Sequence, residues 1–150
     1  MPDVVSPEVR SRMMSGIRSK NTKLELVIRS GLHKRGFRYR IHKKDFPGKP
    51  DLVFRKYNAV IFVHGCFWHK HDCHLFKWPK SREEFWRAKI LGNVKRDRIV
   101  EEQILSAGWR IGIIWECALK GKTRLSLDDI LDECETWLSG KAQKMEIRGQ

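Results

Sequence analysis

The stretch PDLVFRKYNAVIFVHGCFWHKHDCH, residues 50–74, decides how this chain folds. Leu52-Val53-Phe54 is a short apolar run behind Pro50-Asp51, Lys56-Tyr57-Asn58 reads as a turn, and Ala59-Val60-Ile61-Phe62-Val63 is an uninterrupted apolar run. Runs of this kind belong to buried strands, and two of them across a short polar turn predict a hairpin.

Working outward, the flanks supply helices. Thr22 with Glu25 makes a capping box, followed by Leu24, Val27, Ile28 and Leu32 on one helical face and Gly36 as a stop. Phe37 to Ile41 alternates as a strand would, and FPGKP then breaks the chain. Past the Cys/His-rich loop, Ser81 with Glu84 offers a second capping box, opening a helical stretch to about Ala107 in which Gly92-Asn93 is a natural kink. Trp109 to Trp115 reads as a third buried strand, and Ser126 caps a helix bearing Leu127, Ile130, Leu131, Cys134 and Leu138, with Gly140 after it. Helix, strands, helix, strand, helix is an α/β plan: a mixed sheet flanked by helices. The expected organisation is a basic N-terminal arm over 1–21, one domain over 22–140 and a flexible tail over 141–150.

Charge points to a partner. Thirty-one Lys and Arg against 18 acids give the 150-residue chain a net charge of +13. Residues 1–45 contribute +8, residues 46–100 contribute +7 and residues 101–150 contribute −2. A surface built from the first hundred residues therefore faces a polyanion. No apolar run is long enough to cross a bilayer and MPDVVSPEVR lacks a signal peptide's apolar core, so a cytoplasmic protein with no membrane partner is expected. Four cysteines and six histidines in that setting suit metal or free-thiol roles better than disulfides.

Two Cys and four His fall within the eleven residues His64–His74. Zinc takes four N or S ligands in a tetrahedron. Cys66, His71 and Cys73 offer three from one loop, and Cys117, just after the third buried strand, is the geometric candidate for the fourth. Cys134 lies on a helical apolar stripe and reads as core.

A carboxylate completes a second constellation. Asp51 opens one strand of the hairpin and His64 closes the next, so both converge at one end of the sheet, with His69 a few residues beyond. A carboxylate can hold Mg²⁺ through oxygen, and an imidazole within reach can take a proton from water attacking phosphorus. The spacing resembles the Pro-Asp…Glu-x-Lys pattern of restriction-endonuclease-like nucleases, except that Phe62-Val63-His64 stands where Glu-x-Lys would be. A second metal ligand is then a backbone carbonyl such as that of Val63, the Glu25 carboxylate, or water.

Longer blocks carry a closer likeness: SRMMSGIRSKNTKLE, FPGKPDLVF, VIFVHGCFWHKHDC, REEFWRAKILGNVKRDR and GW…WECALKG. Over the arm to about residue 140 the sequence resembles the very short patch repair endonucleases, which nick DNA at T·G mismatches. The resemblance implies a restriction-endonuclease-like fold with a structural Zn²⁺ on Cys66, His71, Cys73 and Cys117. It implies catalytic Mg²⁺ at Asp51 and the backbone of Val63, where the family often has Thr. It implies His69 as general base, with His64 and Glu25 supporting the phosphate and metal-bound water.

In that family, positions matching Phe67, Trp68 and Trp86 push into the base stack beside the mismatch, and Met14 on the arm would enter from the minor-groove side. A mismatched step opens more cheaply than a paired one, so wedging itself favours the mismatch. The expected activity is an Mg²⁺-dependent, strand-specific nick in duplex DNA 5′ to the T of a T·G mismatch left by 5-methylcytosine deamination. The expected protein is a monomer in the bacterial nucleoid that hands its product to other mismatch-repair proteins and a DNA polymerase. Two rivals are a zinc-stabilised DNA-binding module without catalysis, which leaves Asp51 beside His64 and His69 unexplained, and a restriction-type nuclease cutting intact duplex, which leaves Phe67-Trp68 unexplained.

Overall fold

The computed structural model describes residues 22–41 and 43–150. Helix α1 spans Lys23–Lys34, and Thr22 caps it by accepting the Glu25 N–H on its hydroxyl at 3.2 Å. The hairpin follows as strand β1, Leu52–Phe54, and strand β2, Ala59–His64, joined by a 3₁₀ turn over Arg55–Tyr57. Asn58 closes the turn in the left-handed region at φ 49°, a conformation that Asn tolerates better than most residues. The long helix α2, Glu83–Ser106, crosses over to strand β3, Arg110–Trp115. Short helix α3, Glu116–Leu119, and helix α4, Leu127–Ser139, lead to strand β4, Lys144–Ile147.

The four strands lie in the order β1-β2-β3-β4, the first pair antiparallel and the other two parallel. The period-2 alternation of the hairpin divides the core into two layers. Leu52, Phe54, Ala59 and Ile61 face Ile28 and Leu32 of α1 and Ile130, Leu131 and Leu138 of α4. Val53, Val60 and Phe62 turn the other way, onto Ile104 of α2 and Ile111. Helices therefore cover both faces, which is why the apolar run in β2 needs no polar interruption. Among the described residues, no helix is long and apolar enough to cross a membrane.

Four local expectations are corrected. Residues 144–147 are not tail: Lys144 to Ile147 pair with Ile111 to Ile114 as an edge strand. That strand buries only Ile147 fully, so its composition looks like a solvated end. The segment Phe37 to Ile41 makes one bridge, Arg40 to Val53, while Phe37 and Tyr39 pack beneath α1. Helix α2 starts without the Ser81 box: Arg82 enters at φ 55°, with its guanidinium 4.3 Å from the Phe85 ring, and no side chain caps the first turn. The helix runs unbroken through Gly92-Asn93. At the other end of the chain the cap is as read, with Ser126 Oγ accepting the Asp129 N–H at 3.1 Å.

Candidate active site and metal centre

The ends of β1, β2 and β3 at the hairpin's open side form one large cleft, about 1440 Å³, against α1 and α2. Asp51 stands at its floor, where Oδ2 accepts the Val63 N–H at 2.6 Å. An extended residue directs its N–H and C=O to the same side, so the Val63 carbonyl faces Asp51 as well. Glu25 reaches the same spot from α1, 3% exposed and paired with Arg29 at 3.1 Å. Burial, opposed by the Val63 N–H and reinforced by Glu25, pushes the Asp51 carboxyl up to about 8. Two carboxylates crowded in a poorly hydrated corner repel each other, and a cation relieves both. Asp51, Glu25 and the Val63 carbonyl therefore form a hard oxygen donor set suited to Mg²⁺.

His64, the last residue of β2, and His69, on the loop beyond, stack face to face with centroids 3.8 Å apart and planes 5° from parallel. Burial, then the proximity of His69 and His71, holds His64 well below the usual imidazole range, so it is neutral. His69 Nδ1 meets Asp97 Oδ2 at 2.6 Å, across from α2. A carboxylate at Nδ1 keeps the proton there and leaves the Nε2 lone pair free to accept another, the arrangement of an oriented general base.

The loop between these histidines is pinned at several points. Trp68 O accepts from Asn93 Nδ2 of α2 at 3.0 Å, and the Cys66 N–H donates to Glu116 Oε1 at 3.0 Å. Phe67, Trp68 and Trp86 gather into a half-buried aromatic wall, with centroid separations of 5.1, 5.5 and 5.8 Å. The wall and the Asp51, His64 and His69 group line the same cleft. Met14 lies outside the described residues.

Behind the cleft, Cys66, His71, Cys73 and Cys117 converge with ligand atoms within 4.8 Å of one another. His71 Nδ1 lies 3.5 Å from both Cys66 Sγ and Cys117 Sγ. A zinc tetrahedron with Zn–S about 2.3 Å and Zn–N about 2.0–2.1 Å has an S···N edge of about 3.5 Å, so the spacing fits that ion. None of the four cysteines is in a disulfide. His71 is lowered by burial and so is neutral, the form that ligates a metal, while burial raises Cys66, whose thiolate needs a cation beside it.

The structure brings together every sequence-predicted site residue that it describes. The sequence alone did not reveal Asp97, Asn93, Glu116 or the position of Trp115. Trp115 stacks on His71 at 4.0 Å and meets His64 edge-on at 5.3 Å, so one core ring separates the Cys66, His71, Cys73 and Cys117 cluster from the His64–His69 pair. The available signal for Asp97 was its place as the lone acid in the basic run NVKRDR.

Comparison with known proteins gives a consistent family. A family model described as DNA mismatch endonuclease Vsr matches residues 2–75. The chain is 41% identical over 150 residues to the DNA mismatch endonuclease Vsr of Escherichia coli, covering 100% of this chain and 96% of that protein. It is 46% identical over 134 residues to the Type II nicking enzyme V.XorIIP of Xanthomonas oryzae pv. oryzae, covering 88% and 98% respectively. A third relative, the Type II nicking enzyme V.NmeAIP of Neisseria meningitidis, is 43% identical over 122 residues, 81% of this chain and 87% of its own.

Proposed function

Since the chain belongs to the Vsr family of DNA mismatch endonucleases, we propose that it nicks duplex DNA 5′ to the T of a T·G mismatch left by 5-methylcytosine deamination, with Mg²⁺ as catalytic ion. The observation that carries the reading is the shared cleft: an aromatic wall able to enter a base stack stands beside an oriented histidine and a carboxylate pair, Glu25 buried and Asp51 half-buried.

Recognition starts from charge, since the net +13 draws the enzyme to phosphates without reading sequence. Phe67, Trp68 and Trp86 then act as the wedge. Unstacking costs a few kcal/mol per step, aromatic stacking returns about 1–3 kcal/mol per base, and the balance favours a step already weakened by mispairing. Asn93 holds the Trp68 backbone while this happens, which keeps the wedge in register with the catalytic loop.

Asp51, the Val63 carbonyl and Glu25 would hold Mg²⁺, which when bound supplies Lewis-acid stabilisation of charge developing on the phosphate. His69 Nε2 accepts the proton of the attacking water, and Asp97 stabilises the imidazolium that forms. His64 Nδ1 is buried without a hydrogen-bond partner among the described residues. A lone pair is left unpaired there more cheaply than an N–H, so the ring proton sits on Nε2 and can donate to a phosphate oxygen. Zinc on Cys66, His71, Cys73 and Cys117 would clip the loop carrying Phe67 to His69 onto the end of β3.

Strand-labelled duplexes test the proposal. Nicking of a T·G duplex in Mg²⁺, absent from the paired T·A duplex and lost in Asp51→Ala and His69→Ala, is expected. Cleavage of both strands of paired DNA would instead indicate a restriction-type nuclease.

A further inference from the structure

Strand β4 delivers the chain into a second layer of contacts around the Cys66, His71, Cys73 and Cys117 cluster. Ile147 pairs with Ile114, which sets Arg148–Gln150 alongside the end of β3 and the start of α3. The Gly149 N–H donates to Cys117 Sγ at 3.3 Å. Arg148 reaches Asp72, the residue between ligands His71 and Cys73, with Nη1 on its carboxylate at 2.8 Å and Nη2 on its carbonyl at 2.9 Å. The Gln150 N–H donates to the Thr123 carbonyl at 3.0 Å, and the Thr123 hydroxyl donates to the Cys117 carbonyl at 3.0 Å. Three consecutive residues thus touch both halves of the ligand set, the loop half and the β3 half.

The fit is close enough to require glycine. A Cβ on Gly149 would stand 2.3 Å from Thr123 Oγ1 and 2.4 Å from the Cys117 carbonyl oxygen, well inside van der Waals contact. Only a residue without a side chain lets its N–H approach the sulfur here. An N–H aimed at a coordinating thiolate fixes the sulfur's direction and draws off some of its charge. Outer partners of this kind hold ligands in the geometry the metal needs.

We propose that Arg148–Gln150 is a strap over the zinc centre, with Gly149 positioning the Cys117 sulfur and Arg148 positioning the turn between His71 and Cys73. The strap rests on the reading of the cluster as a zinc site. It ties the fourth strand to the loop that carries His69, so metal retention and the shape of the catalytic loop depend on residues that neither ligate the metal nor line the cleft.

The test uses the full chain, purified without a metal-binding tag. Zinc content is measured first, then the rate of zinc release to a chromogenic chelator, for wild type, Gly149→Ala, Arg148→Ala and a control, Lys141→Ala. Release about 10–100-fold faster is expected from Gly149→Ala, the usual scale for losing an outer-shell partner. A smaller acceleration is expected from Arg148→Ala, whose side chain is 42% exposed and can be removed without disturbing the core, and the control should match wild type. In cobalt-substituted protein, Gly149→Ala should also shift the thiolate-to-metal absorption band, which a general loss of stability would not do. Equal release rates in all four proteins, with one zinc bound per chain, would overturn the strap. A wild-type chain that holds no zinc would overturn the zinc reading itself, and the content measurement alone separates the two failures.

Discussion

Replacing Asp51 by Asn should make the magnesium-free protein more stable and catalytically inert. The Asp51 carboxyl is raised from its ordinary 3.8 to about 8, by burial first and by Glu25 as well. A folded-state value above the unfolded one means that the protonated group favours the fold. Its contribution is full below about pH 4, is lost as the pH rises, and is gone by about pH 8. Each unit corresponds to about 1.36 kcal/mol, so a titratable group at this position costs the metal-free fold about 4 kcal/mol at pH 7 and about 5 kcal/mol at pH 8, relative to a neutral one. Asn has the same shape, carries no charge and can still accept the Val63 N–H that Asp51 accepts at 2.6 Å. For a chain of this size 1 kcal/mol moves the melting temperature by about 2–4 °C. Thermal melts in magnesium-free buffer should therefore show Asp51→Asn matching wild type near pH 4 and melting about 10–20 °C higher near pH 8. Added Mg²⁺ should stabilise wild type but not the variant, since only a state that binds the ion gains from it. A variant no more stable than wild type at pH 8, or more stable by the same amount at both pH values, would refute the reasoning.

Asp97→Asn should lower single-turnover nicking by about 100-fold or more with little change in DNA affinity, because it removes the charge that orients and stabilises His69. A rate unchanged within threefold would remove Asp97 from the mechanism. Phe67→Ala and Trp86→Ala should each weaken binding to mismatched duplex by about 1–3 kcal/mol, roughly 5- to 150-fold, and weaken binding to paired duplex much less; titration of labelled duplexes measures both. Cys117→Ala, or treatment with a zinc chelator, should abolish cooperative unfolding of the native fold in circular-dichroism melts. A zinc site can supply on the order of ten kcal/mol, comparable with the whole stability of a domain. An unaltered melt would show that the cluster holds no structural ion.

What was legible in the sequence is what neighbouring residues determine. The hairpin followed from two apolar runs, the helix starts at Thr22 and Ser126 from local hydroxyl caps, and the Cys/His cluster from ligand types crowded into one loop. Ser81 misled because the same local signal is overridden where Arg82 turns left-handed and lies over Phe85. Strand β4 was hidden because an edge strand that buries one residue leaves almost no apolar pattern. Asp97 was hidden for a different reason. It is 28 residues from His69 along the chain, and they meet only because α2 folds back across the end of β2. Trp115 was correctly placed in the core, but its position between the two sites depends on which side of β3 the His71 loop folds against.

The most direct measurement is single-turnover cleavage of a duplex labelled separately on each strand, carrying one T·G mismatch in a 5-methylcytosine context, compared with its T·A and C·G counterparts in Mg²⁺. The expected result is one nick, immediately 5′ to the mismatched T, with the G strand and both paired duplexes intact and no product in Asp51→Asn. Equal cutting of paired and mismatched duplexes, or nicking that persists in Asp51→Asn, would contradict the mismatch-directed mechanism.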